Sequence, residues 1–195
     1  DFEFMRDNML NLSSLNLKDV LTENYEIPQV AFGGKKNLRH IILPSKLKRI
    51  GYSAFYEAGL IGYLKIPEGV EVIDNYAFER NSLTCQLVLP STIKEIGNQA
   101  FFGSGFCGEF SFPEGLERIG DDDDNGVFGE CNLTGTMSLP SSLKYCTFLR
   151  LDGLTGEIVI PQVMTEIGYR AFLGSACTSL ELHEGVTKIG FDAFA

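Results

Sequence analysis

The chain has 195 residues, a hydrophobic fraction of 44% and a formal net charge of -10. The hydrophobic fraction is ordinary for a folded protein, and no apolar run approaches the roughly 18 residues of a membrane span. The negative charge disfavours a nucleic-acid partner and docking on anionic membranes, because both require a basic surface.

Residues 1–13 precede the first regular pattern and are expected to form an N-terminal cap or lead-in. Phe2 and Phe4 alternate with Glu3 as in a strand, so a strand that covers the first coil is predicted here. The start lacks the basic and apolar regions of a signal peptide. We therefore interpret the sequence as a mature or trimmed piece of a longer protein.

From residue 14 to residue 195 the chain repeats a unit of about 23 residues. Each unit contains a short apolar stretch that ends in proline, then an Ile-Gly or Ile-Asp pair, then an Ala-Phe pair. The prolines are Pro44, Pro67, Pro90, Pro113, Pro140 and Pro161, and His183 takes the seventh place. A fixed period of this length predicts a repeat solenoid, here one solenoid of about eight coils with the last one incomplete.

Each unit predicts two short strands and a turn. Alternate residues of the first strand, such as Leu64 and Ile66, point inward, and proline ends that strand because it cannot donate to a ladder. A second strand buries Ile73, and the turn carries Phe78 into the core. The predicted buried columns are Leu64, Leu87, Phe110, Met137, Ile158 and Leu180, and then Phe55, Phe78, Phe101 and Phe172.

One position of the second strand alternates in charge from coil to coil. The residues at this position are Lys48, Glu71, Lys94, Glu117 and Lys144. Strands in adjacent coils lie about 4.8 Å apart, so equivalent side chains become neighbours, and opposite charges there are favourable. The alternation predicts that the coils stack in register.

Two units depart from the pattern. The unit after Pro113 gains four residues in an acidic segment, and the unit after Pro140 loses the Ile-Gly and Ala-Phe pairs, so an irregular coil is expected. In the acidic segment, Asp121, Asp123 and Asn125 have the spacing of the first half of a calcium loop. The closing glutamate of such a loop is missing. A plain acidic insertion is therefore the favoured interpretation, and a weak calcium site is the alternative.

Enzymatic activity is not expected from this sequence. Only His40 and His183 are available as histidines, and His183 replaces a structural proline. The chain lacks a nucleophile elbow, a phosphate-binding loop and a His-x-x-x-His metal pair. The five cysteines form no Cys-x-x-Cys pair and are expected to pack as small apolar groups rather than to form disulfides.

The stretches Leu-Thr-Gly-Glu-Ile-Val-Ile-Pro at 154–161 and Glu-Ile-Gly-Tyr-Arg-Ala-Phe at 166–172 resemble the BspA-like leucine-rich repeat family of bacterial surface proteins. The resemblance covers about residues 14–195. It implies a mainly β, right-handed leucine-rich-repeat superhelix with a parallel sheet. It also implies a secreted or cell-surface, extracellular protein that functions in adhesion, and it provides no catalytic residues.

Two functions remain open. One is non-enzymatic recognition of a protein or glycan on a host or neighbouring cell through the sheet face, and the other is a structural spacer or stalk that displays another domain. The outward residues of the first strands differ from coil to coil, and the N-terminal ones combine aromatic, apolar and cationic groups that suit a protein partner. The candidate ligand-binding residues are His40, Ile42, Tyr63, Lys65, Gln86 and Val88.

The C-terminal half of the same face is acidic, with Glu109, Glu157 and Glu181. No cofactor is expected beyond the weak calcium hypothesis. The last half-coil, residues 184–195, offers an unpaired strand edge. It is predicted to fray, to continue into further repeats or to associate end to end with another molecule.

Overall fold

The computed structural model describes residues 2–120, 126–147, 149–151 and 153–195. They form a mainly β solenoid of about seven turns with parallel strands and about 23 residues per turn. The fold class that the repeats predict is confirmed. Each coil consists of a strand before the proline position, a second strand after it and a broad turn that returns the chain to the next coil.

The segment before the first coil is a helix, α1 (Phe2–Asn8), so the predicted strand at Phe2 and Phe4 is wrong. A strand would place Phe2 and Phe4 on one face, but Phe4 is 58% exposed. The helix instead brings Phe2 and Met5, three residues apart, onto the first coil. The Phe2 ring contacts Phe32 edge to face, with the ring centroids 5.6 Å apart.

Polar contacts fix α1 to the turn of the first coil. The Arg6 guanidinium donates to the carbonyl oxygen of Val30 at 3.2 Å, and the Lys35 ammonium donates to the carbonyl oxygen of Arg6 at 2.9 Å. The turn of the first coil is therefore covered at the end nearest the N-terminus, where Ala31 and Phe32 are buried.

The strands that follow the proline position are two residues long and form the most regular sheet. Equivalent residues pair in parallel, for example Ile50 with Ile73, and Cys146 takes the isoleucine place opposite Ile119 in the irregular coil. These strands are β2 (Glu26–Ile27), β4 (Arg49–Ile50), β6 (Val72–Ile73), β8 (Glu95–Ile96), β10 (Arg118–Ile119), β12 (Tyr145–Cys146), β14 (Glu166–Ile167) and β16 (Lys188–Ile189). The first six form one sheet and the last two form a separate pair.

The strands that precede the proline position form three separate ladders: β1 with β3, β5 with β7, and the four from β9 to β15. A strand immediately before every proline was expected, but in the third to sixth coils the strands end before the last three residues of that stretch. In the third coil, β5 ends at Gly62, before Tyr63. The strands are β1 (Ser14–Asn16), β3 (His40–Ile42), β5 (Ile61–Gly62), β7 (Ser82–Leu83), β9 (Cys107–Glu109), β11 (Asn132–Thr136), β13 (Leu154–Val159) and β15 (Ala176–Glu181).

Burial before the prolines follows the predicted alternation even where the ladder is broken. Leu64 and Ile66 are buried, whereas Tyr63 before them and Lys65 between them are exposed. The predicted column is buried from Leu64 to Ile158, but its last member, Leu180, is 41% exposed. That part of the prediction is wrong because β15 pairs with β13 on one side, and no described residue pairs with its other side.

The phenylalanines of the turns form a stack through the core. Consecutive rings from Phe32 to Phe128 lie 5.2 to 5.8 Å apart and are inclined by 3° to 14°. In the irregular coil, the Leu149 amide donates to the carbonyl oxygen of Ala171 at 3.1 Å, as the amides of the turn phenylalanines do in the other coils. Phe172 then stacks on Phe194 at 5.4 Å.

The turns are joined to one another through their main chains. Alternate amides donate to the next coil, as from Phe55 to Ala77 at 2.8 Å and from Glu57 to Glu79 at 2.9 Å. The turn requires a left-handed residue before each Ala-Phe pair, which costs a non-glycine residue about 1 kcal/mol. These residues are Val30, Ser53, Tyr76, Gln99, Arg170 and Asp192, with φ between 49° and 61°.

Adjacent coils approach closely at the glycine of the Ile-Gly pair. A Cβ atom on Gly97 would lie 2.4 Å from the amide nitrogen of Asn75, a distance that real side chains do not adopt. Asn81 provides a second inter-coil contact. Its buried side-chain amide donates to the carbonyl oxygens of Phe55 at 2.9 Å and Phe78 at 2.8 Å.

The five cysteines are free. Cys146 is fully buried in the isoleucine column, and burial raises the pKa of its thiol to about 12, so it is an apolar packing group at neutral pH. The other four are half-buried.

Phe78→Ala should reduce the free energy of unfolding by about 3–5 kcal/mol, because it removes a ring that is packed between two other rings. Phe191→Ala is the matched control: Phe191 is 72% exposed, and its loss should cost less than about 1 kcal/mol. Urea unfolding followed by circular dichroism measures both. A cost for Phe78→Ala as small as that of the control would contradict the assigned stack.

Candidate functional site

A groove of about 460 Å³ lies on the face of the odd-numbered strands, between the first and third coils. We call it the N-terminal groove. Four of the six predicted site residues lie together in it. Its lining is Lys18, His40, Ile41, Ile42, Leu43, Ser45, Tyr63, Lys65, Pro67 and Glu68.

Side chains alternate between the core and the solvent along this stretch of the chain, so every second side chain faces the groove. In β3, Ile41 is buried, so His40 and Ile42 on either side of it face outward, and Ile42 is 53% exposed. In the next coil, buried Leu64 separates Tyr63 and Lys65 in the same way, and Tyr63 is 71% exposed. The large side chains of Ile42 and Tyr63 are therefore exposed to solvent, while those of the neighbouring residues Ile41 and Leu64 are buried in the core.

The other two predicted residues, Gln86 and Val88, lie one coil further and do not line the groove. The Gln86 amide donates to the carbonyl oxygen of Glu109 at 2.7 Å, so it joins two coils. Val88 is exposed. The predicted set of six is therefore divided into four groove residues, one inter-coil contact and one neighbouring apolar residue.

Lys18 belongs to the groove, although the sequence analysis did not include it in the site. The signal was present in the repeat phase. Asn16 pairs with Ile42, so Lys18 lies opposite Pro44. In the first coil, Lys18 therefore occupies the position at which most later coils have the strand-ending proline. Its backbone carbonyl oxygen accepts from the Ser45 amide at 2.9 Å.

A larger groove, of about 710 Å³, lies on the face of the even-numbered strands. Three of its charged groups, Arg49, Asp74 and Arg118, engage neighbouring coils. The Arg49 guanidinium donates to both carboxylate oxygens of Asp74, at 2.9 and 2.7 Å, and the Arg118 guanidinium lies 4.6 Å from the centre of the Tyr145 ring. These contacts join successive coils, so this face contributes to stacking.

The predicted charge alternation along the second strands is confirmed. Glu71 accepts hydrogen bonds from Lys48 at 2.9 Å and from Lys94 at 2.8 Å, and Glu117 accepts from Lys144. The bonds from Lys94 and then Lys48 lower the pKa of Glu71 to about 2. Lys144 lowers the pKa of Glu117 in the same way.

The predicted calcium ligands Asp121, Asp123 and Asn125 lie outside the described residues, so the calcium site stays a prediction. Among residues 2–120, 126–147, 149–151 and 153–195, no three His, Cys, Asp or Glu side chains are grouped as metal ligands.

The two histidines lie in different coils. His40 lines the N-terminal groove. His183 occupies the proline position of the last coil, where its Nε2 contacts the Pro161 carbonyl oxygen at 3.0 Å and its Nδ1 accepts from the Gly185 amide at 3.1 Å. His183 therefore has a structural role that replaces the proline.

Comparison with known proteins gives a family. The sequence profile described as the BspA type leucine rich repeat region matches residues 3–134 and 124–195, with six copies. A solved leucine-rich repeat protein from Bacteroides ovatus is similar over 94% of this chain, with 16% identity and a TM-score of 0.41; this chain spans 64% of that protein. No curated protein matches the sequence. Across the described part of the chain, no helix has the length and apolar character needed to span a bilayer.

Acid should weaken the contacts of Glu71 between coils. The pKa of Glu71 is about 2 in the folded protein and 4.5 ordinarily. A lowered pKa means that the stabilisation is complete above the ordinary value and is lost as the pH falls towards about 2. Glu71→Gln should therefore make the decrease of the melting temperature between about pH 4.5 and 2 shallower.

Thermal unfolding followed by circular dichroism over this pH range measures the effect. Added salt at about 0.5 M screens exposed ion pairs and should also reduce the pH dependence of the wild type. Identical curves for the wild type and Glu71→Gln would contradict the contribution of the pair.

Proposed function

Because the chain belongs to the BspA-type leucine-rich repeat family, we propose that it is a non-enzymatic recognition module that binds a protein or glycan partner through the N-terminal groove. The repeats of this family generally serve protein interaction or adhesion. A secreted or cell-surface setting, with a partner on a host or neighbouring cell, is part of the proposal. It is supported by the family, whose members are typically bacterial surface or secreted proteins.

The observation that supports this site best is the exposure of Tyr63 and Ile42 side by side in a groove with His40 and Lys65. The core does not require these residues, because their inward neighbours provide the packing. Tyrosine provides a large, rigid contact area at low entropic cost and is enriched where proteins bind partners. The flanking side chains of His40 and Lys65 add polar contacts that orient a ligand.

A structural spacer is the second candidate function, and the even-strand face favours it. There Arg49 pairs with Asp74 and Arg118 lies over the Tyr145 ring, so these groups of the large groove engage neighbouring coils. Groups that are already paired gain little from a ligand. A spacer needs only such coil-to-coil contacts.

The test compares two double variants at the same strand positions in different coils. Tyr63→Ala with Lys65→Ala removes two groove side chains, and Glu157→Ala with Val159→Ala removes their counterparts in β13. Arrays of glycans and of secreted and surface proteins identify a ligand for the wild type, and surface plasmon resonance then measures each variant.

We expect the groove variant to bind about tenfold more weakly or worse, since contact residues in recognition sites often contribute over 1 kcal/mol each. The control should bind as the wild type does, and both melting temperatures should stay close to that of the wild type. Undiminished binding by the groove variant would place the ligand elsewhere. No ligand for the wild type on any array would favour the spacer.

A further inference from the structure

Most basic side chains of this protein have an internal partner, and those around the N-terminal groove do not. Lys48, Lys94, Lys144 and Lys188 engage glutamates of adjacent coils. Among the described residues, four basic side chains have no carboxylate, carbonyl or aromatic partner. They are Lys18, Arg39, Lys46 and Lys65.

These four cations lie at one end of the solenoid. Lys18 and Lys65 line the groove, Lys46 follows the groove residue Ser45, and Arg39 precedes β3. The one acidic residue in the groove lining, Glu68, is directed to the next coil, where it accepts from the Ser91 amide at 3.1 Å and the Ser91 hydroxyl at 2.9 Å. It forms no ion pair with the groove lysines.

The net charge of the chain is also distributed unevenly, with the positive part at the end that contains the groove. Residues 1–65 contain nine of the 16 basic residues and seven of the 26 acidic ones, which gives a net charge of +2, so the rest of the chain has -12. An acidic ligand is therefore repelled by most of the surface and attracted to one end. Such an asymmetry orients an approaching ligand and raises its association rate.

The walls of the groove distinguish between two kinds of acidic ligand. Ile42, Tyr63 and Pro67 present apolar surface beside the lysines. An apolar side chain can be buried against them, with a gain of roughly 25 cal/mol for each Å² removed from water. Uronic and sialic acids have no such side chain, so the walls favour a peptide over an anionic glycan.

The main chain beside the groove is also unpaired. The backbone groups of Tyr63, Leu64, Lys65 and Ile66 make no hydrogen bond to any described residue. These positions follow Gly62, where the β5 ladder ends. These groups point along the solenoid axis toward the adjacent coils. An extended ligand is favoured instead by the length of the groove, which crosses three coils from Lys18 to Lys65.

We propose that the N-terminal groove binds an extended acidic peptide segment of a partner protein. Carboxylates of the peptide engage Lys18 and Lys65, and an apolar side chain between them packs on Tyr63 and Ile42. The inference rests on the proposed function and specifies the ligand class of the same groove. Charge-assisted contacts to two lysines and burial of one side chain give it both affinity and orientation.

The probe is a short fluorescein-labelled peptide in which a central leucine is flanked on both sides by aspartates. Fluorescence anisotropy measures its dissociation constant with the full chain. Two further peptides serve as controls, one with asparagines in place of the aspartates and one with glycine in place of the leucine. An oligogalacturonate provides the anionic glycan.

Lys18→Gln with Lys65→Gln should weaken binding of the acidic peptide by about tenfold or more. Lys94→Gln with Lys144→Gln removes the same charge from lysines that are already paired, so it should change the dissociation constant less than twofold. Both control peptides should bind about tenfold more weakly than the acidic one. Higher salt should weaken the wild-type complex and have less effect on the Lys18 and Lys65 variant.

Equal binding of the asparagine peptide, no effect of the Lys18 and Lys65 variant, or tighter binding of the oligogalacturonate would each overturn the inference. The arrays described above separate this failure from that of the proposed function. If the acidic peptide does not bind but an array ligand is lost in the Tyr63 and Lys65 variant, the ligand class is wrong and the recognition site stands. If the wild type has no array ligand and does not bind the peptide, both fail.

Discussion

One coil of this protein is too thin to bury its own apolar residues, so each coil depends on the next one for its core. The phenylalanine stack makes this dependence visible, since every ring from Phe55 to Phe101 lies between two others. The turn hydrogen bonds and the glycine contacts follow from the same close approach. The ends differ accordingly: α1 covers the first coil, and apolar residues of the last described coil, such as Leu180 and Phe191, face water.

The two long faces of the solenoid contribute differently to the contacts between coils. The even-numbered strands hold the coils in register through paired ladders and charged contacts, of which Glu71 between two lysines is the most complete. The odd-numbered strands are continuous only from β9 onward. In the N-terminal coils of that face, buried side chains contribute much of the stacking, and the outward residues stay available for a partner.

The repeat phase predicted most of the fold, because burial imposes the same residue type at the same place in every coil. The period and the inward columns follow from that rule, and the charge ladder follows from the stacking of equivalent exposed positions. Features that occur once could not be predicted in this way. The helical form of Phe2–Asn8 depends on contact with Phe32. The loss of pairing after Gly62 has no mark in the repeat, because Gly108 and Gly135 at the same place also have a positive φ and lie inside strands.

The candidate site was predictable in part for the same reason. Its outward residues were identified as positions that the fold does not constrain, and four of the six lie in one groove. Lys18 was missed because its coil lacks the proline that marks the phase. The hydrogen bond of Gln86 to the next coil could not be predicted, because a glutamine on an outward position can equally well point into water.

The interlocked turns also determine how the protein responds to mechanical load. Because each coil is held only by its neighbours, tension on the end that α1 does not cover would detach coils one after another rather than all at once. Each detached coil of about 23 residues would lengthen the chain by roughly 80 Å. A molecule of this design yields gradually under tension, and the N-terminal groove, at the covered end, is the last part to lose its shape.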